Sequence, residues 1–139
     1  MFDVTVNFWA VVAAAVTSFI VGSVWYSPMM FGDVWARNLG KSPGELERMK
    51  KAPMATPVVG MFVGSLVMAY ILAHFVTYLN VRSLADAFLL AFWLWLGFIV
   101  TVSISAVLFE HRSKKVFFIN IAFQLVNLFV ASVILGLWR

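Results

Sequence analysis

The stretch Leu84-Ala-Asp-Ala-Phe-Leu-Leu-Ala-Phe-Trp-Leu-Trp-Leu-Gly-Phe-Ile-Val-Thr-Val-Ser-Ile-Ser-Ala-Val-Leu-Phe109 carries a single charge, Asp86, near its start. A helix needs roughly 20 apolar residues to cross a hydrocarbon core about 30 Å thick, at about 1.5 Å per residue. The run is long enough, so it predicts a membrane-spanning helix. Ser83 and Asp86 mark its beginning. A hydroxyl just before the helix and an acid three positions on can accept from amides left unpaired at a helix start.

Outward from this run, residues 6–26, 57–79 and 116–138 have the same length and character. Thr56-Pro57 offers the second span a capping hydroxyl, then a proline whose missing N–H costs nothing at the first helical position. The leader Met1-Phe2-Asp3 has an acid where a secretory signal has bases, so the first run reads as a span. The composition agrees: 63% of the 139 residues are hydrophobic and 12% charged, whereas a soluble domain has about a quarter of its residues charged. The expected fold is all-α: a single-domain integral membrane four-helix bundle with spans at about 6–26, 57–79, 84–109 and 116–138.

Ten Lys and Arg stand against six Asp and Glu. They lie in connectors between spans, without the clustered basic stripe that nucleic-acid binding requires, so no such partner is expected. Arg37, Lys41, Arg48, Lys50 and Lys51 occupy the first connector and Arg112, Lys114 and Lys115 the third, while only Arg82 and Arg139 fall on the other side. The excess of bases in cytoplasmic loops then predicts that the first and third connectors are cytoplasmic and both termini outside.

The first connector is too long for a simple turn. It opens with Trp25-Tyr26-Ser27-Pro28-Met29-Met30-Phe31-Gly32 and then Trp35. Aromatic residues favour the headgroup layer, and Pro28 disfavours helical geometry at Ser27, so the chain is expected to turn along the interface in an elbow. A substrate-facing motif is the alternative. Farther on, Ser42-Pro43-Gly44-Glu45 has a cap, a proline at the first helical position and the acid of a capping box, which starts a short surface helix ending near Lys51. Leu46 and Met49 give that helix a narrow apolar face.

These aromatic-Tyr-Ser-Pro residues, with Leu108-Phe109-Glu110 at the third-span exit and Phe118-Ile119-Asn120 at the fourth-span start, resemble the family of small, mainly bacterial membrane proteins called domain of unknown function 1761. The resemblance covers nearly the whole chain. It implies a four-span integral membrane protein and no reaction, substrate or cofactor.

Polar side chains inside spans turn toward other helices or a cavity. Ser18, Ser65, Thr101 and Gln124 each fall about 10–13 Å inside one boundary of their span, a shared level. In span four, Asn120, Gln124 and Asn127 follow the i, i+4, i+7 spacing of one helix face. Either these amides join helices, within the bundle or across an oligomer interface, or they line a hydrated path for a polar solute or ion with Ser18, Ser65 and Thr101.

His74 and His111 fall near opposite ends of their spans, and the chain has no cysteine. No metal, cofactor or catalytic residue is therefore expected, and the chain reads as a non-enzyme. Glu110, His111 and Arg112 read as a solvated charge cluster at a helix exit. Gly60-Met-Phe-Val-Gly64 spaces two glycines for close helix approach. Packing within the chain is its expected use and a dimer contact the alternative. The expected partners are the bilayer and further copies of the chain. A lipid beside Trp25 and Trp35, or a small polar solute at the amide level, is the ligand left open.

Overall fold

The computed structural model describes residues 4–138; Met1-Phe2-Asp3 and Arg139 lie outside them. Seven helices and one π-helical segment follow in order: α1 Phe8–Trp25, α2 Gly32–Arg37, α3 Pro43–Lys51, α4 Ala55–Tyr78, α5 Leu84–Leu94, the π-helical segment Trp95–Val100, α6 Thr101–Leu108 and α7 Lys114–Leu137. α1, α4, the continuous run α5 to α6, and α7 are each long and apolar enough to cross a membrane.

α1, α3 and α5 start where a side chain accepts from their free amides. α1 begins two residues later than hydropathy predicts, because Asn7 Oδ1 accepts from the amides of Trp9 and Ala10 at 3.1 and 3.3 Å. For α5 the expected capping box forms: Ser83 Oγ accepts from the Asp86 amide at 3.0 Å, and Asp86 Oδ2 accepts from the Ser83 amide at 3.2 Å. α3 has half of its expected box, with Ser42 Oγ accepting from the Glu45 amide. The Thr56 cap is corrected. α4 starts at Ala55 after Met54 with no side-chain cap, and Pro57 still falls in the first turn, where no amide has an intrahelical partner. α7 starts two residues early, at Lys114, because hydropathy marks an apolar run while the helix takes in the flanking lysines.

Just past the end of α4 stands Asn80, whose φ of 56° is left-handed. The amides of Asn80 and Val81 then donate back to Thr77 O and Val76 O at 3.2 and 3.0 Å. This is the Schellman closure, and asparagine is among the few non-glycine residues that accept it readily. It reverses the chain within five residues, 79–83, and delivers Ser83 to the α5 cap.

α7 is the central element: α1, α4 and α5 all pack on it, α1 also packs on α4, and α4 hardly touches the third span. Tyr26 bonds Asn120, Gly22 faces Phe123, and Ala10 shares a cleft with Leu135. α1 and α7 are thus antiparallel, and the Tyr26 bond brings the first and third connectors to the same end of the bundle. Small residues fill much of the core, beside larger ones such as Leu72, Val76, Leu90 and Leu128. Ala10, Ala14 and Ala15 of α1, Ala69 and Ala73 of α4, Ala87 and Ala91 of α5 and Ala131 of α7 are all at most 4% exposed. Large apolar side chains, Phe8, Trp9, Trp93 and Phe98 among them, point outward. Such inversion suits a chain whose outside is also apolar: small side chains bring backbones close and gain dispersion, where lipid removes any hydrophobic drive for association.

Candidate functional site

The elbow after α1 is built by a short chain of backbone bonds. The amides of Met30 and Gly32 both donate to Ser27 O, at 3.1 and 3.0 Å, and that of Phe31 donates to Trp25 O at 3.0 Å. Ser27 Oγ donates to Val24 O at 2.6 Å. Pro28, with no N–H to satisfy, occupies the bend. After the expected turn the chain forms α2, a helix that the sequence reading missed. Phe31 and Gly32, the residues at its start, are themselves held by the elbow.

Trp25 and Tyr26 then dock on the first turns of α7. The Trp25 indole N–H donates to Ile119 O at 3.2 Å, and Tyr26 Oη donates to Asn120 Oδ1 at 2.7 Å. Phe123 packs on both rings, with centroids 6.2 and 5.4 Å away, and Trp35 of α2 meets Tyr26 edge-on at 5.4 Å. Trp25, Tyr26, Phe31, Trp35 and Phe123 form one aromatic cluster closing an end of the bundle. Within it Trp35 Nε1 is buried with no hydrogen-bond partner among the described residues. The motif residues therefore meet α7, which expectations of a headgroup anchor did not include. The missed signal was Asn120, one member of the amide stripe.

Double substitution should measure this clamp. Tyr26→Phe, Asn120→Leu and the pair together are expected to show a coupling energy of about 1 kcal/mol in a detergent unfolding titration. Additive single effects would mean that the bond contributes nothing.

The remaining polar residues divide into two groups. Ser65 Oγ donates to Met61 O at 3.0 Å and Thr101 Oγ1 to Gly97 O at 2.7 Å, each satisfied within its own helix. Thr101 is also exposed, so the expected single level of Ser18, Ser65, Thr101 and Gln124 does not converge within one protomer. Depth alone does not fix direction: Thr101 lies just past the π-helical segment, which alters the helix phase. Ser18 and Asn127, by contrast, are 4% and 7% exposed, and the antiparallel register of α1 and α7 sets them at one level. Ser18 Oγ, Asn127 Oδ1 and Ser132 Oγ have no hydrogen-bond partner among the described residues. Asn120 goes to Tyr26, Asn127 is buried inside the bundle, and Gln124 lies half-buried between them.

His74 Nδ1 donates to Tyr70 O at 2.9 Å, and its ring stands edge-on to Tyr70. Arg112 Nε pairs with Glu110 Oε2 at 2.8 Å, both more than half exposed. His111 is exposed in the same turn, with a left-handed φ of 54°. Among the described residues no cluster of His, Cys, Asp or Glu has the makings of a metal site.

Gly60 and Gly64 overturn the expectation of close packing within the chain: a Cβ built on either would meet nothing within 4 Å. The surface also carries clefts. One of about 440 Å³ lies among the α1, α4 and α7 ends remote from the elbow, at Asn7, Thr77 and Trp138. A second of about 420 Å³, beside the α4–α5 turn, includes Asp86 and Trp93. A third of about 410 Å³, lined by apolar residues only, opens between α4 and the third span.

With this geometry in view, the comparison with known families is direct. The family described as "Protein of unknown function (DUF1761)" matches residues 9–136. The chain belongs to the DUF1761 family. Neither a curated protein nor a solved structure matches it. The match takes in the Trp25-Tyr26-Ser27-Pro28 elbow, the Asn120 partner of Tyr26 and all the cores of the four spans. What the family contributes is the extent of the unit, since its own function is unknown.

Proposed function

We propose that this DUF1761 chain is a non-enzymatic subunit of a homo-oligomeric membrane assembly, with a structural or binding role. One observation carries the reading: Gly60 and Gly64 form a small-xxx-small pair on α4, and among the described residues no other helix and no side chain comes within 4 Å of either added Cβ. Close helix approach at such pairs gains dispersion that lipid tails do not match as well. The same half of α4 packs poorly within its own chain, as Val58, Val59, Met61 and Val63 are all exposed. In this reading the elbow and both basic connectors face the cytoplasm of a bacterial inner membrane.

The absence of cysteine makes the test direct. Single Gly60→Cys and Gly64→Cys chains should form disulfide-linked dimers in membranes, while Val102→Cys, exposed on the third span, should not. Gly60→Leu/Gly64→Leu should weaken association about tenfold or more, equivalent to about 1.4 kcal/mol, as measured by mass in mild detergent. A wild-type mass of one chain, or no change in the double variant, would overturn the reading.

The second reading is a small channel or carrier. The buried unpartnered atoms of Ser18, Asn127 and Ser132 favour it, since such groups demand partners. Reaction of Asn127→Cys with a membrane-impermeant maleimide would support a wet path.

A further inference from the structure

We propose that the cleft between α4 and the third span binds one anionic phospholipid, with an acyl chain in the groove and the phosphate at Lys114 and Lys115. The cleft exists because α4 and α5 are both held by α7 and hardly by each other. Met68 and Leu72 form one wall, Leu94, Phe98 and Ile99 the other, and Leu128 the floor. Nothing polar lines it, which suits a hydrocarbon tail and excludes a polar solute.

The helix that supplies the floor begins with two lysines, Lys114 and Lys115. Lys114, Phe117, Gln124 and Leu128 lie at i, i+3, i+10 and i+14, a stripe on one helix face. Lys114 is about 21 Å along α7 from Leu128. That is roughly one leaflet of a core about 30 Å thick plus part of its headgroup layer. A lipid with its phosphate at the α7 start thus reaches the groove with its tail.

The charge at this helix start is uncompensated. Among the described residues Arg112 pairs with Glu110 and Lys51 with Glu47, whereas Lys114 and Lys115 form no ion pair. The first turn of α7 has no acid, and Ser113 makes no side-chain cap. Two ammonium groups therefore add to the positive end of the helix dipole, an arrangement that an anion relieves.

The third span is shaped to keep the cleft open. In its π-helical segment Trp95 donates its indole N–H to Ile121 O at 2.7 Å, which ties one side of the span to α7. Phe98 and Ile99 of the same segment face the cleft. Single π turns recur at functional sites. Met68 and Leu72 lie about 12 Å farther along α4 than Gly60 and Gly64, so the glycine pair and the lipid site are at different depths.

Native mass spectrometry after incubation with equimolar phosphatidylglycerol and phosphatidylcholine tests the proposal. It should be run on the wild-type chain and on Gly60→Leu/Gly64→Leu, so that lipid retention and assembly are read separately. Each protomer should retain one phosphatidylglycerol, preferred about tenfold or more, since each lysine near a phosphate contributes roughly fivefold. Lys114→Gln/Lys115→Gln should reduce the preference to about twofold or less, whereas Lys41→Gln/Arg48→Gln should leave it. Ile71→Trp, at the rim and 50% exposed, should exclude both lipids without disturbing the core. Equal retention of the two lipids, equal loss with the remote pair, or full retention in Ile71→Trp would each overturn it.

Discussion

Gly32→Ala is expected to cost about 1–3 kcal/mol, the range for forcing atoms into a filled site. A Cβ at this position would collide with Tyr26 O and lie 2.8 Å from Ser27 C and O. All three are backbone atoms, so no rotamer change relieves the clash. The elbow must open, breaking the bond from the Gly32 amide to Ser27 O, and Tyr26 then loses its approach to Asn120. A thermal or SDS unfolding titration measures the loss. The near-ultraviolet circular dichroism of the Trp25 and Trp35 cluster should weaken with it. Gly44→Ala in α3 is the control: nothing lies within 4 Å of the added Cβ, and alanine there should be neutral or stabilising by up to about 1 kcal/mol.

Ala14→Leu is expected to cost about 3 kcal/mol, at the upper end for overpacking. Ala14 and Ala15 have no exposed surface and lie on a helix packed on both α4 and α7. Three more heavy atoms there must push those helices apart, and the Tyr26 and Trp25 bonds to α7 resist the movement. Val16→Leu, two residues away but 41% exposed, should change stability by less than about 0.5 kcal/mol. If Ala14→Leu unfolds at the wild-type midpoint, the small-residue core is not what joins these helices.

Why some of this was legible is a matter of range. The capping box at Ser83 and Asp86 and the Ser42 cap involve groups within three residues of each other, so spacing alone reveals them. Asn80 belongs with them, since its left-handed preference is local too, yet the sequence reading passed it by. The π-helical segment carries no comparable mark: Trp95 adopts it while bonding Ile121 O, a partner 26 residues on. Likewise, Trp25 and Tyr26 read as headgroup anchors because their partners Ile119 and Asn120 lie 94 residues away in the chain. Gly60 and Gly64 show the same limit in reverse. Their spacing says that a backbone can come close there, and nothing local says whose.

Taken by itself, the sequence determined that the chain has four apolar helices of spanning length, where the third of them begins, and that both basic connectors follow spans of the same direction. Hydropathy and capping suffice for that, because each acts over a few residues of one segment. Only the tertiary structure decided that α7 is the hub, which alanines, valines and leucines meet in the core, and that α4 parts from the third span. Those outcomes depend on helix phase and on which face meets which neighbour. In a chain apolar on nearly every face, no difference in hydropathy selects between them, and close fit does.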